Sequence, residues 1–412
     1  MTTLTLPKAS FVDVDISSPA HKANPHPLYS RLRAEAPVCE VPMSGGQRAW
    51  LVTRYDDVVS VLKDERFAKD RFRVFSPAEL KKQPWIPAVF KPLVSNMLDC
   101  DPPQHTRLRS LVQKAFTPRR IEAMRDRIQI LAGDLLTSVS SRRPFDLIAD
   151  YALPLPSTVI AEILGVPAGD QHKFHRWSQR LVSLGWSKWD MVRGVPAAWQ
   201  LIRYARKLVA QRRARPADDM VSALVQAREN GDALTEDEMV AMIVLLLIAG
   251  HETTVNLIGN GMLALLQHPE QLQKLRDNPG LIGSAVEELL RFNSPLDTAT
   301  ERFATQDVTI AGVTIPRGSF VLAVISSANR DATQFADPDE LDITREPNRH
   351  LSFGQGIHFC IGAPLARAEG QIAINALLGR IPKLRLAVPP EKLRWRRGLV
   401  LRGLQSLPLQ VD

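Results

Sequence analysis

One cysteine of the chain, Cys360, lies in a glycine-rich segment directly ahead of a predicted helix. Glycine at positions 354, 356 and 362 allows positive φ and removes side-chain bulk, so the backbone can approach a flat ligand closely. The residues Ala363–Glu369 predict a helix whose free amides and positive end face the sulfur and lower its pKa. A thiolate placed in this way suits an iron ion as a ligand.

A lone cysteine is more often a small buried apolar residue, but the whole run Phe353–Gly362 argues otherwise. It resembles the haem-binding loop of the cytochrome P450 superfamily: a phenylalanine, two spaced glycines, a basic residue, the cysteine and another glycine. The resemblance implies haem b as the cofactor, with Cys360 as the iron ligand. The other loop positions that it places against the cofactor are Phe353, Gly354, His358 and Gly362.

A second pattern, Glu288-Leu-Leu-Arg291, puts a carboxylate and a guanidinium three residues apart on one face of a helix. Such pairs are common on solvated helices and stabilise them little. Here the pattern resembles the ExxR element of the same family. The resemblance implies a structural role, in which the pair locks the helix to the irregular segment before Cys360 with His350 or Arg345 as the third member.

A third pattern begins at Asp101, which predicts a helix cap followed by Pro at the first helical positions. His105 and Arg109 then lie one turn apart, a spacing that suits a carboxylate. The resemblance implies that they bind haem propionates together with Arg302 and His358. A surface salt bridge is the alternative for each of these four groups.

An acid and a hydroxyl interrupt the most apolar stretch of the chain, at Glu252 and Thr253. The Thr253 hydroxyl can bond back to the carbonyl of Ala249, and Gly250 weakens the helix, so a local bulge with room for oxygen is predicted. By resemblance, Glu252 and Thr253 relay protons. The alternative is that they cap the helix or face water. A zinc-protease HExxH motif is excluded because Val255 stands where the second His is needed.

The elements that must position these residues read as mainly α with small β-sheets. A strand is predicted over Ala49–Thr53 and a helix over Tyr55–Lys63, and helical periodicity dominates from about 104 to 292. Thr235 and Glu238 form a capping box that starts a long apolar helix running to about residue 266. Strands are predicted between 308 and 325.

The resemblance spans roughly residues 24 to 408 and implies one triangular domain with the cytochrome P450 fold. We therefore predict a single haem-binding domain over residues 24–412, preceded by an N-terminal extension over residues 1–23. The N-terminal residues carry no secretory signal or membrane anchor pattern. The longest apolar run, Met239–Ala249, is shorter than the roughly 20 residues that a membrane span needs.

Composition sets the broad class. The chain has 412 residues, 45% of them hydrophobic and 23% charged, which is ordinary for a soluble globular protein. Three cysteines without CxxC spacing form neither a disulfide framework nor a zinc site, so a reducing cytoplasm is expected. The net charge of +8 is dispersed along the chain, which argues against nucleic acid. It suits docking of an acidic redox protein or simply a solvated surface.

By resemblance, the substrate pocket is framed by apolar residues from five regions, which favours a hydrophobic small molecule. The residues predicted to line it are Trp85, Ile86, Val89, Phe90, Leu247, Ala249, Leu296 and Val400. Four tryptophans also fall in the region expected to cover the pocket, where packing explains them better than substrate contact. They are Trp177, Trp186, Trp189 and Trp199.

The resemblance implies a bacterial-type monooxygenase that uses O2 to hydroxylate or epoxidise a hydrophobic compound, such as a secondary metabolite, terpenoid, steroid, macrolide or fatty acid. No ferredoxin-type Cys cluster or nucleotide-binding glycine motif is present. Electrons are therefore expected from a ferredoxin or flavodoxin with its NAD(P)H reductase, and the protein is expected to be a monomer. Two alternatives stay open: a peroxygenase, whose family members lack the acid-threonine pair, and a non-catalytic haem-thiolate sensor or electron carrier.

Overall fold

Helices make up most of the structure and follow the apolar periodicity of the sequence. The computed structural model describes residues 14–43, 47–80, 88–93, 96–140, 144–182, 188–228 and 231–411. Its α-helices are α1 (Pro19–Ala23), α2 (His26–Glu35), α3 (Tyr55–Lys63), α4 (Arg71–Val74), α5 (Pro77–Leu80), α6 (Gln104–Ala115), α7 (Pro118–Ala123), α8 (Arg125–Ser140), α9 (Pro154–Ile163), α10 (Ala168–Val182), α11 (Lys188–Ala214), α12 (Met220–Gln226), α13 (Glu236–Gln267), α14 (Pro269–Asp277), α15 (Ile282–Phe292), α16 (Ile325–Ala328) and α17 (Ala363–Arg380). Short 3-10 turns cover Ala88–Leu93, Pro279–Leu281, Gly356–His358 and Pro390–Lys392, and a π-helical turn covers Ile148–Ala152.

The strands are short and form small sheets at the edges of the helical body. They are β1 (Val38–Pro42), β2 (Arg48–Val52), β3 (Phe67–Ala68), β4 (Phe145–Asp146), β5 (Arg302–Ala304), β6 (Val308–Ile310), β7 (Val313–Ile315), β8 (Phe320–Ala323), β9 (Leu384–Leu386) and β10 (Pro408–Val411). A five-stranded sheet has the order β1-β2-β8-β5-β3, a three-stranded sheet has the order β4-β10-β9, and β6 pairs with β7. The mainly α fold with small sheets is confirmed.

Several local predictions are confirmed and one is corrected. The strand at 49–53 is β2, and the helix at 55–63 is α3 with the predicted bounds. The extended segment predicted to reach residue 325 ends earlier, because β8 stops at Ala323 and Ile325 opens α16. Residues 325–328 are all buried there, so the apolar run reflects core packing rather than a longer strand.

The long helix α13 forms the centre of the main core. Its start has the full capping box: the Thr235 hydroxyl accepts from the Glu238 amide, and the Glu238 carboxylate accepts from the Thr235 amide. The whole of α13 is long and apolar enough to cross a membrane, whereas the run Met239–Ala249 is only part of it. Most of it is buried inside the protein, as expected for the core helix of a globular domain.

The described part of the predicted N-terminal extension packs onto the rest of the chain. Ile16 is buried, and the fully buried Lys22 ammonium pairs with the Asp297 carboxylate between α15 and β5. The Tyr29 hydroxyl donates to the same carboxylate at 2.9 Å. Residues from 14 onward therefore share one body with the helical core.

Candidate active site

The cysteine loop is a tight turn between two packed elements. The Cys360 amide donates to the Phe353 carbonyl at 2.9 Å, which closes the loop. Gly354 and Gly356 have φ of +70° and +73°, as predicted. A Cβ at Gly356 would lie 2.8 Å from the Leu62 carbonyl oxygen of α3, so only glycine fits. Gly362 has an ordinary φ of −82° at the N-cap of α17.

The sulfur of Cys360 is held at the start of α17, where the backbone amides lower the pKa of the thiol as predicted, although burial makes the overall shift upward. Burial raises the pKa of the Cys360 thiol, and the amides of Gly362 and Ala363 together with the charge of Arg109 only partly offset this. The loop thus provides donors for a thiolate without stabilising one by itself. A metal ion bound to the sulfur would supply the missing stabilisation, because a coordinating thiol loses its proton.

The predicted Glu288–Arg291 pair is fully buried and anchors the segment ahead of the cysteine loop. The two side chains form paired hydrogen bonds of 2.7 and 2.8 Å. Arg291 also donates to the backbone carbonyls of residues 329, 338 and 340. The third side chain on Glu288 is Arg345, whose Nε lies 3.2 Å from Oε1, and Asn348 adds a bond of 3.0 Å.

His350 therefore does not contact Glu288 as the third member of that pair. Its Nε2 lies 3.1 Å from the carboxylate of Glu287, one residue earlier in α15. The same carboxylate accepts two bonds of 2.7 Å from Arg367 of α17. The Arg367 guanidinium lies over the ring of Phe353, 4.4 Å from its centroid. His350 belongs to a second anchor, which ties the cysteine loop to α15 through Glu287.

The four groups predicted to bind propionates come from three separate elements. The rings of His105 on α6 and His358 in the cysteine loop lie 4.3 Å apart between centroids. Burial lowers the pKa of His358 to about 2, with further lowering from the charges of Arg302, His105, Lys69 and Arg109. The charge of Asp101 acts on Arg302 and His105, but among the described residues no acid forms a salt bridge with any of the four predicted groups.

Unpartnered buried atoms in this cluster indicate an anionic ligand. Both ring nitrogens of His105, Nε2 of His358 and Nε of Arg302 find no hydrogen-bond partner among the described residues. Burial lowers the pKa of Arg302 to about 10, so it is still charged at neutral pH. Buried donors without acceptors are costly. The carboxylates of a haem fit this donor set.

The predicted role of Asp101 as a helix cap was wrong. Residue 103 is the N-cap of α6, and no side chain caps it. The Asp101 carboxylate instead accepts from the backbone amides of Lys69 and Asp70, at 3.0 to 3.1 Å. Sequence reasoning missed Lys69, whose buried ammonium donates to the Thr300 hydroxyl and the Glu301 carbonyl beside Arg302. These contacts join the segment before α6 to the residue after β3, which precedes it in the chain, and to the residues before β5, which follows it.

One face of α13 is open in an otherwise buried helix. Leu245, Ala249 and Thr253 recur every four residues and share a face, and all three are less buried than their neighbours. The Thr253 hydroxyl donates to the Ala249 carbonyl at 3.0 Å, as predicted. The predicted bulge is not present, since the helix stays α-helical through Gly250. Leu247, predicted to line the pocket, lies in the main core. Leu245, four residues before Ala249, shares the open face instead.

Glu252 is buried beside two basic groups. Its carboxylate lies 2.7 Å from Nη1 of Arg396 and 3.6 Å from Nε2 of His251. Burial alone would raise the pKa of Glu252, but the hydrogen bond from Arg396 and the charges of Arg396 and His251 hold it below its ordinary value. Glu252 is thus an ionised carboxylate at neutral pH, directly next to Thr253 in the chain.

A second buried acid lies on α17, which the sequence analysis passed over. Glu369 is completely buried, its two carboxylate oxygens have no hydrogen-bond partner among the described residues, and burial raises its pKa to about 8. At neutral pH this group is mostly protonated. Glu369 lies nine residues after Cys360, on the helix that follows the cysteine loop. An acid on a core-facing helix this close to the predicted iron ligand could have drawn attention.

The predicted pocket residues are only partly brought together. Phe90 is buried in the turn Ala88–Leu93, which packs on α13 and α11. Leu296 and Val400 are half-buried in adjacent segments, where the amide of Asp297 donates to the Val400 carbonyl at 2.8 Å. Trp85 and Ile86 lie outside the described residues, as does the side chain of Val89.

Two of the four tryptophans of the predicted covering region have described side chains, and one of these two packs. Trp177 is half-buried against Tyr204, with 5.9 Å between ring centroids. Trp199 is exposed beneath the guanidinium of Arg203. Trp186 and the side chain of Trp189 are outside the described residues.

The geometry as a whole suits one kind of cofactor. Three features fit a flat, dianionic, iron-bearing macrocycle: a sulfur at a helix start, a cluster of basic groups with unpartnered buried atoms, and an open apolar helix face. Cys360 would hold the iron, and His105, Arg109, Arg302 and His358 would bind its carboxylates. The site is that of a haem-thiolate protein.

The chain belongs to the cytochrome P450 family. The family model described as "Cytochrome P450" matches residues 19–279 and 280–392. Vitamin D(3) 25-hydroxylase of Pseudonocardia autotrophica is 46% identical over 96% of this chain and 96% of its own length. Mycinamicin IV hydroxylase/epoxidase of Micromonospora griseorubida is 44% identical over 92% and 94%.

A solved structure shows the same fold. The cytochrome P450 PksS of Bacillus subtilis 168 superposes with a TM-score of 0.90 at 42% identity, over 97% of this chain and 100% of that one. The protein is thus an oxidoreductase of the P450 monooxygenase class, with haem b as its cofactor.

The Glu287 anchor gives the protein a pH dependence that can be measured. Burial opposes ionisation, but bonds from Arg367 and His350 outweigh it and hold the pKa of Glu287 at about 2. A depressed carboxyl pKa stabilises the fold above its unfolded value of about 4.3, and this contribution is lost as pH falls toward 2. We expect Glu287→Gln to cost about 2 kcal/mol of unfolding free energy at pH 7.

Thermal unfolding of the haem-loaded protein between pH 3 and 7 checks this expectation. The difference between wild type and Glu287→Gln should shrink as the pH falls below 5. Glu270→Gln, at an exposed position in α14, is the matched control and should show no such convergence. A difference that stays constant across this range would contradict the assigned anchor.

Proposed function

We propose that this enzyme hydroxylates or epoxidises a bulky hydrophobic small molecule with O2 and electrons from a separate ferredoxin or flavodoxin and its NAD(P)H reductase. The observation that supports this most is the open face of α13, where the small apolar Ala249 lies three residues before the acid at 252 and four before the hydroxyl at 253. Two relatives are named for oxidation of a macrolide-type compound, mycinamicin IV, and of vitamin D3. These names support a macrolide or steroid-like substrate, with a polyketide, terpenoid or fatty acid as the other members of the proposed class.

When bound, the haem supplies oxygen activation and C–H oxidation. Cys360 would hold the iron, and the basic cluster would bind the carboxylates of the haem. Apolar residues around Ala249 orient substrate and exclude water. Glu252 and Thr253 are proposed to move protons into the pocket, a task that suits a hydroxyl and an ionisable acid next to each other at the open face.

Electron delivery is proposed to occur at the surface of the cysteine loop. Ile357 and Phe359, on either side of His358, are 49% and 41% exposed. The Arg367 guanidinium lies over the ring of Phe353. An exposed apolar pair with basic neighbours suits the acidic surface of a ferredoxin or flavodoxin. The enzyme is proposed to act as a monomer in the cytoplasm, where such carriers are found.

Titration of the haem-loaded protein with a panel of compounds tests the substrate class. We expect a macrolide, a polyketide or a steroid-like compound such as vitamin D3 to shift the haem spectrum from low to high spin. Turnover with ferredoxin, reductase and NADPH should exceed turnover with hydrogen peroxide alone. Faster turnover with peroxide would identify a peroxygenase, and a protein that neither binds nor turns over any of the panel would be a sensor or electron carrier.

Replacement of the iron ligand tests the cofactor assignment. Cys360→Ser should lose the absorption band at about 450 nm of the reduced carbon monoxide complex, since that band requires a thiolate ligand. Cys39→Ser, a half-buried cysteine of β1, is the matched control and should keep the band. A band that survives in Cys360→Ser would mean that another residue holds the iron.

The hydroxyl of Thr253 is tested through coupling of NADPH use to product. Thr253→Ala should lower product per NADPH about tenfold and raise hydrogen peroxide release, because proton delivery contributes factors of this size or more. Thr253→Ser keeps a hydroxyl and should retain most of the coupling. Equal coupling in Thr253→Ala and wild type would remove Thr253 from the relay.

A further inference from the structure

The buried acid Glu252 has its closest basic partner far away in sequence, on a hairpin near the C-terminus. The Arg396 guanidinium lies 2.7 Å from the Glu252 carboxylate. The side chain of Glu252 is only 3% exposed, whereas that of Arg396 is 34% exposed. Arg396 therefore extends from solvent to the acid.

The backbone fixes Arg396 at this place. The C-terminal hairpin (residues 394–405) is closed by the Arg396 amide donating to the Gly403 carbonyl at 2.9 Å and by the pairing of Trp395 with Leu404. Its returning strand is pressed against α13, because a Cβ at Gly403 would overlap the Asn256 side chain at 1.9 Å. One turn further along α13, the side-chain Nδ2 of Asn260 donates to the backbone carbonyl of Arg402 at 2.9 Å.

The charges that face Glu252 come from two elements. His251 of α13 lies on one side at 3.6 Å, and Arg396 of the C-terminal hairpin lies on the other at 2.7 Å. Arg396 is permanently charged, whereas a histidine beside an acid is charged only when protonated. Arg396 is therefore the fixed positive charge that compensates burial of this carboxylate.

A carboxyl that relays protons must take up a proton and then release it again. A buried carboxyl without a counter-charge holds its proton tightly and becomes a weak acid. A nearby guanidinium opposes this effect and allows the same carboxyl to release its proton and to be recharged from solvent. The position of Arg396 meets this need, since it touches both the acid and the surface.

We propose that Arg396 is a positioning residue that tunes Glu252 for proton delivery, so that the C-terminal hairpin forms part of the proton path. For each of the two protons that one turnover consumes, Glu252 takes a proton from solvent at the Arg396 side, passes it toward the Thr253 hydroxyl and returns to the carboxylate paired with Arg396. This inference rests on the proposed role of Glu252. It adds a residue that the acid-threonine pair does not contain.

The test compares two ways of driving the haem-loaded enzyme, with the panel compound that gives the largest high-spin shift as the substrate. Turnover with O2, ferredoxin, reductase and NADPH requires proton delivery through the protein, whereas hydrogen peroxide brings its own protons. Arg396→Met should slow O2-driven product formation about tenfold and enlarge its solvent isotope effect. Peroxide-driven turnover should stay within about twofold of wild type, and Arg396→Lys should recover most of the O2-driven rate.

The neighbouring arginine offers a matched control. Arg397 pairs with Asp15 at 2.7 Å instead of with Glu252, so Arg397→Met removes a charge from the same hairpin and should leave both rates unchanged. Glu252→Gln should itself slow the O2-driven reaction. Adding Arg396→Met to Glu252→Gln should then have less than a twofold further effect, since Arg396 acts through the acid.

The outcomes separate this inference from the proposed function. An O2-driven rate unchanged by Glu252→Gln would remove Glu252 from the relay and overturn both. A slow Glu252→Gln enzyme together with a normal Arg396→Met enzyme would overturn only the role of Arg396. If Arg396→Met lost haem or slowed both reactions equally, the ion pair would serve to hold the hairpin, and the proposal would be wrong.

Discussion

The completely buried Glu288–Arg291 pair is the contact on which the site depends most. Burying two charges is expensive, and the expense is offset only when every donor and acceptor is satisfied. Glu288 meets this condition with bonds from Arg291, Arg345, Asn348 and the amide of Asp342. Arg291 satisfies three carbonyls of the irregular segment before the cysteine loop.

That segment has few backbone partners of its own, so its path is set by these side chains. The loop that carries Cys360 begins at the end of this irregular segment. A separate anchor at Glu287 then fixes the far side of the same loop through Arg367 and His350. Two adjacent acids of α15 thus hold one loop from two directions, and the position of the sulfur follows from both.

Much of this could be predicted from the sequence where the determining residues are near each other in the chain. The capping box at Thr235 and Glu238, the helix Tyr55–Lys63 and the turn glycines at 354 and 356 depend on local backbone chemistry, and the structure confirms them. The family resemblance supplied the haem, which no local pattern could give.

The errors have a common physical origin in contacts between distant segments. Asp101 has the residue type of a cap, but the free amides of Lys69 and Asp70 compete for its carboxylate. His350 was as good a partner for Glu288 as Arg345 until the fold placed it beside Glu287. Leu247 is a different case, because counting the period of four back from Thr253 and Ala249 would have led to Leu245.

The basic cluster and Glu252 illustrate two opposite solutions to buried charge. Around His105, Arg302 and His358 the chain leaves buried donors unpaired, so that cofactor binding, which occurs only in the folded protein, adds to stability. At Glu252 the chain brings its own counter-charge from a hairpin about 140 residues away, fixed against α13 at Asn256 and Asn260. The same hairpin carries Val400, which is proposed to line the pocket. A substitution that reshapes the pocket at this hairpin therefore also affects the guanidinium beside Glu252. The cysteine loop is held by α15 and α17, which are separate from the hairpin.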